Sequence, residues 1–400
     1  MIRDTRIPIA RSKFHRILSG YELIMTVDPQ FLIIIIGTVL ILSLPLLIFL
    51  TKTVQNITPY LYMNARLKAK EGRLITQAQL EEMVTSPSLA EISSILEATP
   101  YGSEMQGLMI NDAETLEEVL QKHRATLYHE IVGMMPKKIE DVFSYLNQEL
   151  EVNTIKSILR DIHAQKSPEQ TALQPTSTGE LQEETLKRMS ESRTVTELVP
   201  LLEGTSYEPL IGALPAYEQS KKLNLFESLL DKIIPQNTWR VISSRGDELS
   251  LIQDYFATKI DLLNLKVLLR GKRDRLGWDE IEHFLLPQGN IFDQAKTRYG
   301  EEEDIRGLIT SLEATPFYHP LMEVLPEYEK TRSLLPLEKA LDEYLLKTGW
   351  DISLKHPYGI GPIMGFFSLK EAEMKNVRAI AVAKEANMEH DEMRSLTVSI

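Results

Sequence analysis

Leu96-Glu97-Ala98-Thr99-Pro100-Tyr101 occurs three times along the chain. It returns as Leu202-Glu203-Gly204-Thr205-Ser206-Tyr207 and as Leu312-Glu313-Ala314-Thr315-Pro316-Phe317, with starts 106 and 110 residues apart. Eight residues before each leucine stand Ser88, Thr194 and Asp304. Each offers a side-chain oxygen to an orphan N–H at a helix start. Glu91 and Glu197 follow the first two at the spacing of a capping box, while Gly307 takes that place in the third. Apolar residues then recur three and seven positions on: Leu89/Ile92/Leu96, Val195/Leu198/Leu202 and Ile305/Leu308/Leu312. That spacing is one face of a short helix. Thr-Pro closes the first and third copies, because a residue before proline avoids the helical backbone. Pro200 is expected to kink the second. Leu96, Tyr101, Leu202, Tyr207, Leu312 and Phe317 therefore read as structural: a capped helix docks an aromatic ring into a core. Three copies imply three similar units.

A second pattern interleaves with the first. Asn64-x-Arg66, Thr154-x-Lys156, Asn264-x-Lys266 and Asn376-x-Arg378 each lie in a helical stretch. Lys70, Arg160 and Arg270 follow four residues after the basic position, and Val382 stands there in the last copy. Residues four apart share a helix face, so these helices carry short basic stripes. Glu151, Asp261 and Glu373 precede the Asn or Thr by three, a spacing that lets a carboxylate meet the amide or hydroxyl. Leu61 replaces the acid in the first copy, which reads as a shortened edition, and the fourth helix closes the array. Leu214-Pro215-Ala216-Tyr217-Glu218 matches Leu325-Pro326-Glu327-Tyr328-Glu329, and Glu227–Asp231 matches Glu338–Asp342. A unit of about 110 residues is far longer than a solenoid repeat of roughly 20–50. No stretch alternates with period two, and Ala164–Glu180 is a polar loop with two prolines. The expected fold is all-α: a pseudo-threefold array of three similar helical units behind one N-terminal transmembrane helix. The expected segments are a tail and span at 1–52, units at 53–145, 146–256 and 257–366, and a closing helix and tail at 367–400.

The span is Phe31 to Leu50, which carries no charge. Twenty helical residues cover about 30 Å, the thickness of a bilayer core. Pro45 is tolerable in such a helix, and Ile48-Phe49-Leu50-Thr51-Lys52 offers no small-residue cleavage site. Arg3, Arg6, Arg11, Lys13 and Arg16 precede the span and only Lys52 follows closely. Loop charge alone would place the tail inside the cell and the large domain outside. A start at Met25 removes those five charges and reverses the expectation.

The chain has 400 residues, a formal net charge of −13 and no cysteine. The charge argues against a nucleic-acid binder. The missing cysteine excludes disulfides, thiolate metal sites and a thiol nucleophile. No G-x-x-x-x-G-K-[ST] phosphate loop is present. Gly359-Ile360-Gly361 follows no expected strand and reads as a turn into the last helix. His123 and His129, the closest histidine pair, do not form a metal motif. No catalytic group, cofactor or metal is expected.

Three stretches together resemble the C-subunit family of V/A-type ATPases, whose vacuolar relative is the d subunit. They are Tyr60-Leu61-Tyr62-Met63-Asn64-Ala65-Arg66-Leu67-Lys68-Ala69-Lys70, the three Leu-Glu phrases, and Lys370-Glu371-Ala372-Glu373-Met374-Lys375-Asn376-Val377-Arg378. The resemblance covers about residues 55–395. It implies an all-helical funnel of three domains and a non-catalytic rotor component, one copy per complex. Such a component seats the central axle, of the D and F type, on the membrane proteolipid ring and couples ATP hydrolysis or synthesis to proton or sodium transport. It implies a cell-membrane location with the large domain in the cytoplasm. The family usually lacks a span, so Phe31–Leu50 is a departure; the helix could enter the bore of the ring or stand outside it. Asn64, Arg66, Lys70, Glu151, Lys156, Arg160, Asp261, Asn264, Lys266, Arg270, Glu373, Asn376 and Arg378 are the candidate polar positions. They either tie helices together or face the axle and ring. The competing reading is a membrane-anchored helical scaffold unrelated to rotary ATPases.

Overall fold

A computed structural model describes residues 28–105, 108, 110–143, 145–165, 179–245 and 249–398. The basic tail and Met25 lie outside these, as does most of the expected polar loop. Every regular element among the described residues is a helix. In chain order they are α1 (Pro29–Glu71), α2 (Gln77–Thr85), α3 (Leu89–Glu97), α4 (Ala113–Met134), α5 (Lys137–Phe143), α6 (Tyr145–His163), α7 (Glu183–Glu191), α8 (Val195–Leu198), α9 (Leu214–Ser220), α10 (Asn224–Ser243), α11 (Ser250–Arg273), α12 (Trp278–Ile281), α13 (Phe292–Glu301), α14 (Ile305–Thr310), α15 (Tyr318–Thr331), α16 (Leu335–Lys355), α17 (Gly361–Glu385) and α18 (His390–Leu396).

The chain divides into two compact units, Met1–Pro59 and Tyr60–Ile400. The described part of the first is the apolar portion of α1, with a mean hydropathy of 3.0 over its 18-residue window and no buried side chain there. It is long and apolar enough to cross a membrane. Its few polar groups are satisfied within the helix: Thr38 Oγ1 donates to Ile34 O at 2.8 Å and Thr51 Oγ1 to Leu47 O at 2.8 Å. A helix in hydrocarbon needs that internal satisfaction, since lipid offers no partner.

The second unit is built on the repeated phrases. Ser88, Thr194 and Asp304 cap their helices as expected, accepting from Glu91 N, Glu197 N and Gly307 N at 3.4, 3.2 and 2.8 Å. The expected capping box forms only its first half in both copies; Glu197 instead takes the N–H of Arg193, one residue before the cap. Pro200 turns the second copy from α8 into a 3-10 turn over Val199–Leu202. Tyr101, Tyr207 and Phe317 are each at most 2% exposed.

These rings sit in three separate hydrophobic clusters. Tyr207 lies in one formed by residues between Val152 and Ile233. Phe317 lies in one between Leu262 and Leu341. Tyr101 lies in a third that joins Leu80–Leu120 to Met374–Met393. A fourth cluster gathers Met63, Leu67, Tyr128, Phe143, Phe256 and Phe367. Burial of so many Leu, Ile, Tyr and Phe side chains, about 1.5–3 kcal/mol each, supplies the main stabilising term.

Candidate functional site

Of the four helices that carry the second motif, α6, α11 and α17 each organise one core. Glu151 on α6 accepts Leu181 N at 2.6 Å, Glu180 N at 3.0 Å and the Tyr207 hydroxyl at 2.6 Å. Glu373 on α17 accepts Ile75 N at 2.6 Å, the Tyr101 hydroxyl at 2.7 Å and Lys370 Nζ at 2.5 Å. Asp261 on α11 accepts Ile291 N at 3.1 Å. Ile75, Leu181 and Ile291 each stand just ahead of a helix, α2, α7 and α13, where free N–H groups favour an anion. In every core the N–H donor precedes the aromatic residue by 26 positions. The third core has changed at two places together: Phe317 has no hydroxyl, and the acid is one methylene shorter. The acid comes so close to the chain at Gly289 that a Cβ added there would collide with Asp261 Oδ1.

The carboxylates therefore do not meet the Asn or Thr three residues on, as the spacing suggested. Asn264 instead closes a two-way bond with Leu286, Nδ2 to O at 2.7 Å and N to Oδ1 at 2.8 Å. Asn376 does the same with Val398 at 2.8 and 2.7 Å. Buried peptide groups must find partners, and the amide satisfies both ends of one peptide stretch. Thr154 bonds back to Leu150 O within α6, and Asn64 donates to Gly359 O at 3.0 Å.

The first core is completed in a way the repeat order did not suggest. The acid that serves Tyr101 is 272 positions away, on α17, and the Asn64-x-Arg66 helix does not supply it. Lys384 on α17 caps α2 by donating to Val84 O and Ser86 O at 2.7 Å. Lys272 on α11 caps α13 in the same way, through Tyr299 O at 2.5 Å and Glu302 O at 2.7 Å.

The basic stripes pair with acids on neighbouring helices. Lys156 and Arg160 meet Asp231 and Glu227 on α10, the second at 2.6 Å. Lys266 and Arg270 meet Asp342 and Glu338 on α16 at 2.5 and 2.7 Å. Arg66 and Lys70 converge on Glu130 at 3.1 and 2.7 Å, and Arg378 forks onto Glu117 at 2.5 and 2.8 Å. Partly exposed pairs of this kind contribute about 0–1 kcal/mol each, so they set helix register more than stability.

Two cavities of about 680 and 670 Å³ adjoin, sharing Glu149, Lys259, Leu263 and Lys266 in their walls. Lys266, Arg270 and Arg378 from the stripes face this hollow; Arg66, Lys70, Lys156 and Arg160 do not line it. Glu149, Lys259 and Glu371 reach it from α6, α11 and α17. Each stands two residues before the core acid of its helix, so three equivalent positions converge there. Arg124 pairs with Glu149 at 2.5 Å, and Lys259 with Glu371 at 3.5 Å. Burial pushes the Tyr128 hydroxyl far above its ordinary range, against the nearby Arg124 guanidinium. Sequence reasoning missed this group, because the three equivalent residues are Glu, Lys and Glu. Their constant offset from Glu151, Asp261 and Glu373 was the available signal. Among the described residues no group of three His, Asp or Glu side chains could hold a metal ion.

The family described as ATP synthase (C/AC39) subunit matches residues 63–396. The chain belongs to that family. It is 34% identical over 386 residues to the A-type ATP synthase C subunit of Methanocaldococcus jannaschii, covering 95% of this chain and 96% of that one. The Methanobrevibacter smithii C subunit is 31% identical over 360 residues, covering 89% and 92%. That of Pyrococcus abyssi is 28% identical over 340 residues, covering 85% and 90%. The first alignment leaves 5% of 400 residues, or 20, outside it, so it takes in Phe31–Leu50. The apolar helix is thus within the region shared with that relative.

A direct test of the core design is Tyr207→Phe. Loss of the hydroxyl leaves Glu151 with backbone N–H groups alone, and unfolding free energy should fall by about 1.5–3 kcal/mol. Denaturant melts of the purified chain read this; a loss under about 0.5 kcal/mol would contradict the role given to the pair.

Proposed function

We propose that the chain is the central-stalk component of an A-type ATP synthase. It seats the foot of the central axle in the hollow between α6, α11 and α17 and rests on the proteolipid ring, so that rotation passes between head and membrane. The three units are related by a pseudo-threefold axis through that hollow, in a funnel. The observation that carries this reading is the convergence of Glu149, Lys259 and Glu371, equivalent residues of three helices, on one cavity. A charged, partly open wall suits an assembled joint better than a dry core would, since interface rims are polar and wet. The stripe residues Lys266, Arg270 and Arg378 face the axle, while Arg66, Lys70, Lys156 and Arg160 tie helices together.

The anchor is Phe31–Leu50, with the large domain on the cytoplasmic side. A protein that turns with the ring needs its anchor in the bore of the ring, because an anchor outside would be swept against the stator. Photocrosslinks placed at Phe31–Leu50 should then reach ring proteins; products with stator proteins alone would rule the bore out.

Capture of the chain by a C-terminal tag from mildly solubilised native membranes tests the assignment. Head, axle and ring should co-purify. Recovery of the chain in the membrane fraction without any of them would leave the anchored scaffold as the better reading. The chain carries no catalytic role, so the purified protein alone should hydrolyse no ATP above a boiled control.

A further inference from the structure

The first and third cores are built from the same polar staples, but the chain runs through them differently. In the third core, Asn264 holds Leu286 and Asp261 holds Ile291. Those two partners are joined by Pro287-Gln288-Gly289-Asn290, four residues. In the first core, Asn376 holds Val398 and Glu373 holds Ile75. These correspond to Leu286 and Ile291, yet no short segment joins them, and Ile75 follows instead from Leu74 near the other end of the described chain. The surrounding elements correspond: α18 occupies the place of α12, α2 that of α13, and Lys384 that of Lys272. The first core is therefore closed across a seam by non-covalent bonds. Arg394 on α18 pairs with Glu81 on α2 across it, and Met393 packs into the cluster of Tyr101.

We infer that residues 386–398 form a clasp that unlatches from α2 as one unit while the other cores stay closed. Two things follow from chain connectivity. When the Asn264–Leu286 staple breaks, a four-residue link keeps Leu286 beside Ile291, so the staple re-forms at small entropic cost. When the Asn376–Val398 staple breaks, nothing short returns Val398 to Ile75, and the only tether left is the 22-residue path back to Asn376, against the four-residue link in the third core. Segments with such local freedom open below the global unfolding free energy. The clasp also has a position of consequence, because Met388 and Leu396 form part of the wall of the 680 Å³ cavity. Unlatching removes that wall and opens the hollow sideways. The inference stands on the staples and the connectivity, independently of what the hollow receives.

Hydrogen exchange under native conditions tests it on the full-length chain. Amides of 386–398 should exchange at least tenfold faster than those of 276–286, although an asparagine amide staples the end of each segment in the same way. The chain has no cysteine, so Glu81→Cys with Arg394→Cys gives one addressable pair at an exposed ion pair. Bridging it with a short bis-maleimide should slow exchange at 386–398 at least tenfold and leave 276–286 unchanged. A ratio below tenfold in the unmodified chain overturns the clasp, as does a bridge that leaves 386–398 unchanged. The first measurement needs no variant, so a folding defect in the cysteine pair does not shelter the idea.

Discussion

Glu373→Ala should lower the unfolding free energy by about 3–5 kcal/mol, the range expected when one partner of a buried ion pair is removed. Glu373 is 6% exposed and Lys370 is 3% exposed. The carboxylate accepts three donors: Ile75 N, the Tyr101 hydroxyl and Lys370 Nζ. Alanine leaves all three buried without an acceptor, and the lysine without a counter-ion. Burial already pulls the Lys370 pKa down, and Glu373 opposes that pull. Without Glu373 the folded-state pKa falls further below the ordinary 10.5. A group with a depressed pKa contributes stability above its unfolded value and loses it as pH falls through its folded value. The loss in Glu373→Ala should therefore be fully present at pH 7 and shrink as pH rises toward 10. Adding Lys370→Met removes the stranded charge and should recover part of the loss. Denaturant melts of the two variants across pH 7–10 check both statements; a loss below about 1 kcal/mol at pH 7 would show that the three bonds do not work as described.

That same residue shows what the sequence could and could not convey. Helix type, the caps at Ser88, Thr194 and Asp304, and the buried rings were legible because caps and apolar spacing are local. The basic stripes were legible as stripes, and the matched pairs Glu227–Asp231 and Glu338–Asp342 foreshadowed their partners on α10 and α16. The partner of Tyr101 was not legible. In the second core the acid and the N–H it accepts are 30 positions apart, and in the first they are 298 apart. Chain order pointed to Asn64-x-Arg66 as the helix of the first unit, and packing chose α17. The amides of Asn264 and Asn376 were misread for a different reason. Their helical neighbours were visible, but the peptide stretches at Leu286 and Val398 that needed them lie 22 residues on and carry no signal of their need. The hollow escaped because Glu149, Lys259 and Glu371 share a position and not a residue type.

Asp261→Asn should act in the opposite direction and stabilise the chain by about 3 kcal/mol at pH 8. Asp261 is 1% exposed. The acids of the other two cores each receive a tyrosine hydroxyl, and Asp261 faces Phe317, which has none to give. Burial pushes its pKa up from 3.8 to about 6, with the N–H groups of Ile291 and Asn290 pulling only part of the way back. A raised folded-state pKa means that the folded chain favours the protonated acid. That stability is fully present below about pH 3.8 and is lost as pH rises through about 6. At pH 8 the native protein has ionised a carboxyl group that its surroundings favour neutral. Asparagine never ionises, its Oδ1 can still accept Ile291 N, and its N–H₂ can meet the Asn290 side chain, whose own amide turns to present its oxygen. The difference between variant and parent should thus be near zero at pH 3, grow between about pH 4 and 6 and level off by pH 7. A difference that does not change with pH would mean that Asp261 is solvated as well as an ordinary aspartate. Glu151→Gln is the internal contrast. Glu151 accepts from two backbone N–H groups and from Tyr207, so the new amide N–H₂ must face a donor. That variant should lose stability at pH 7 where Asp261→Asn gains it, although the two residues hold the same place in their cores.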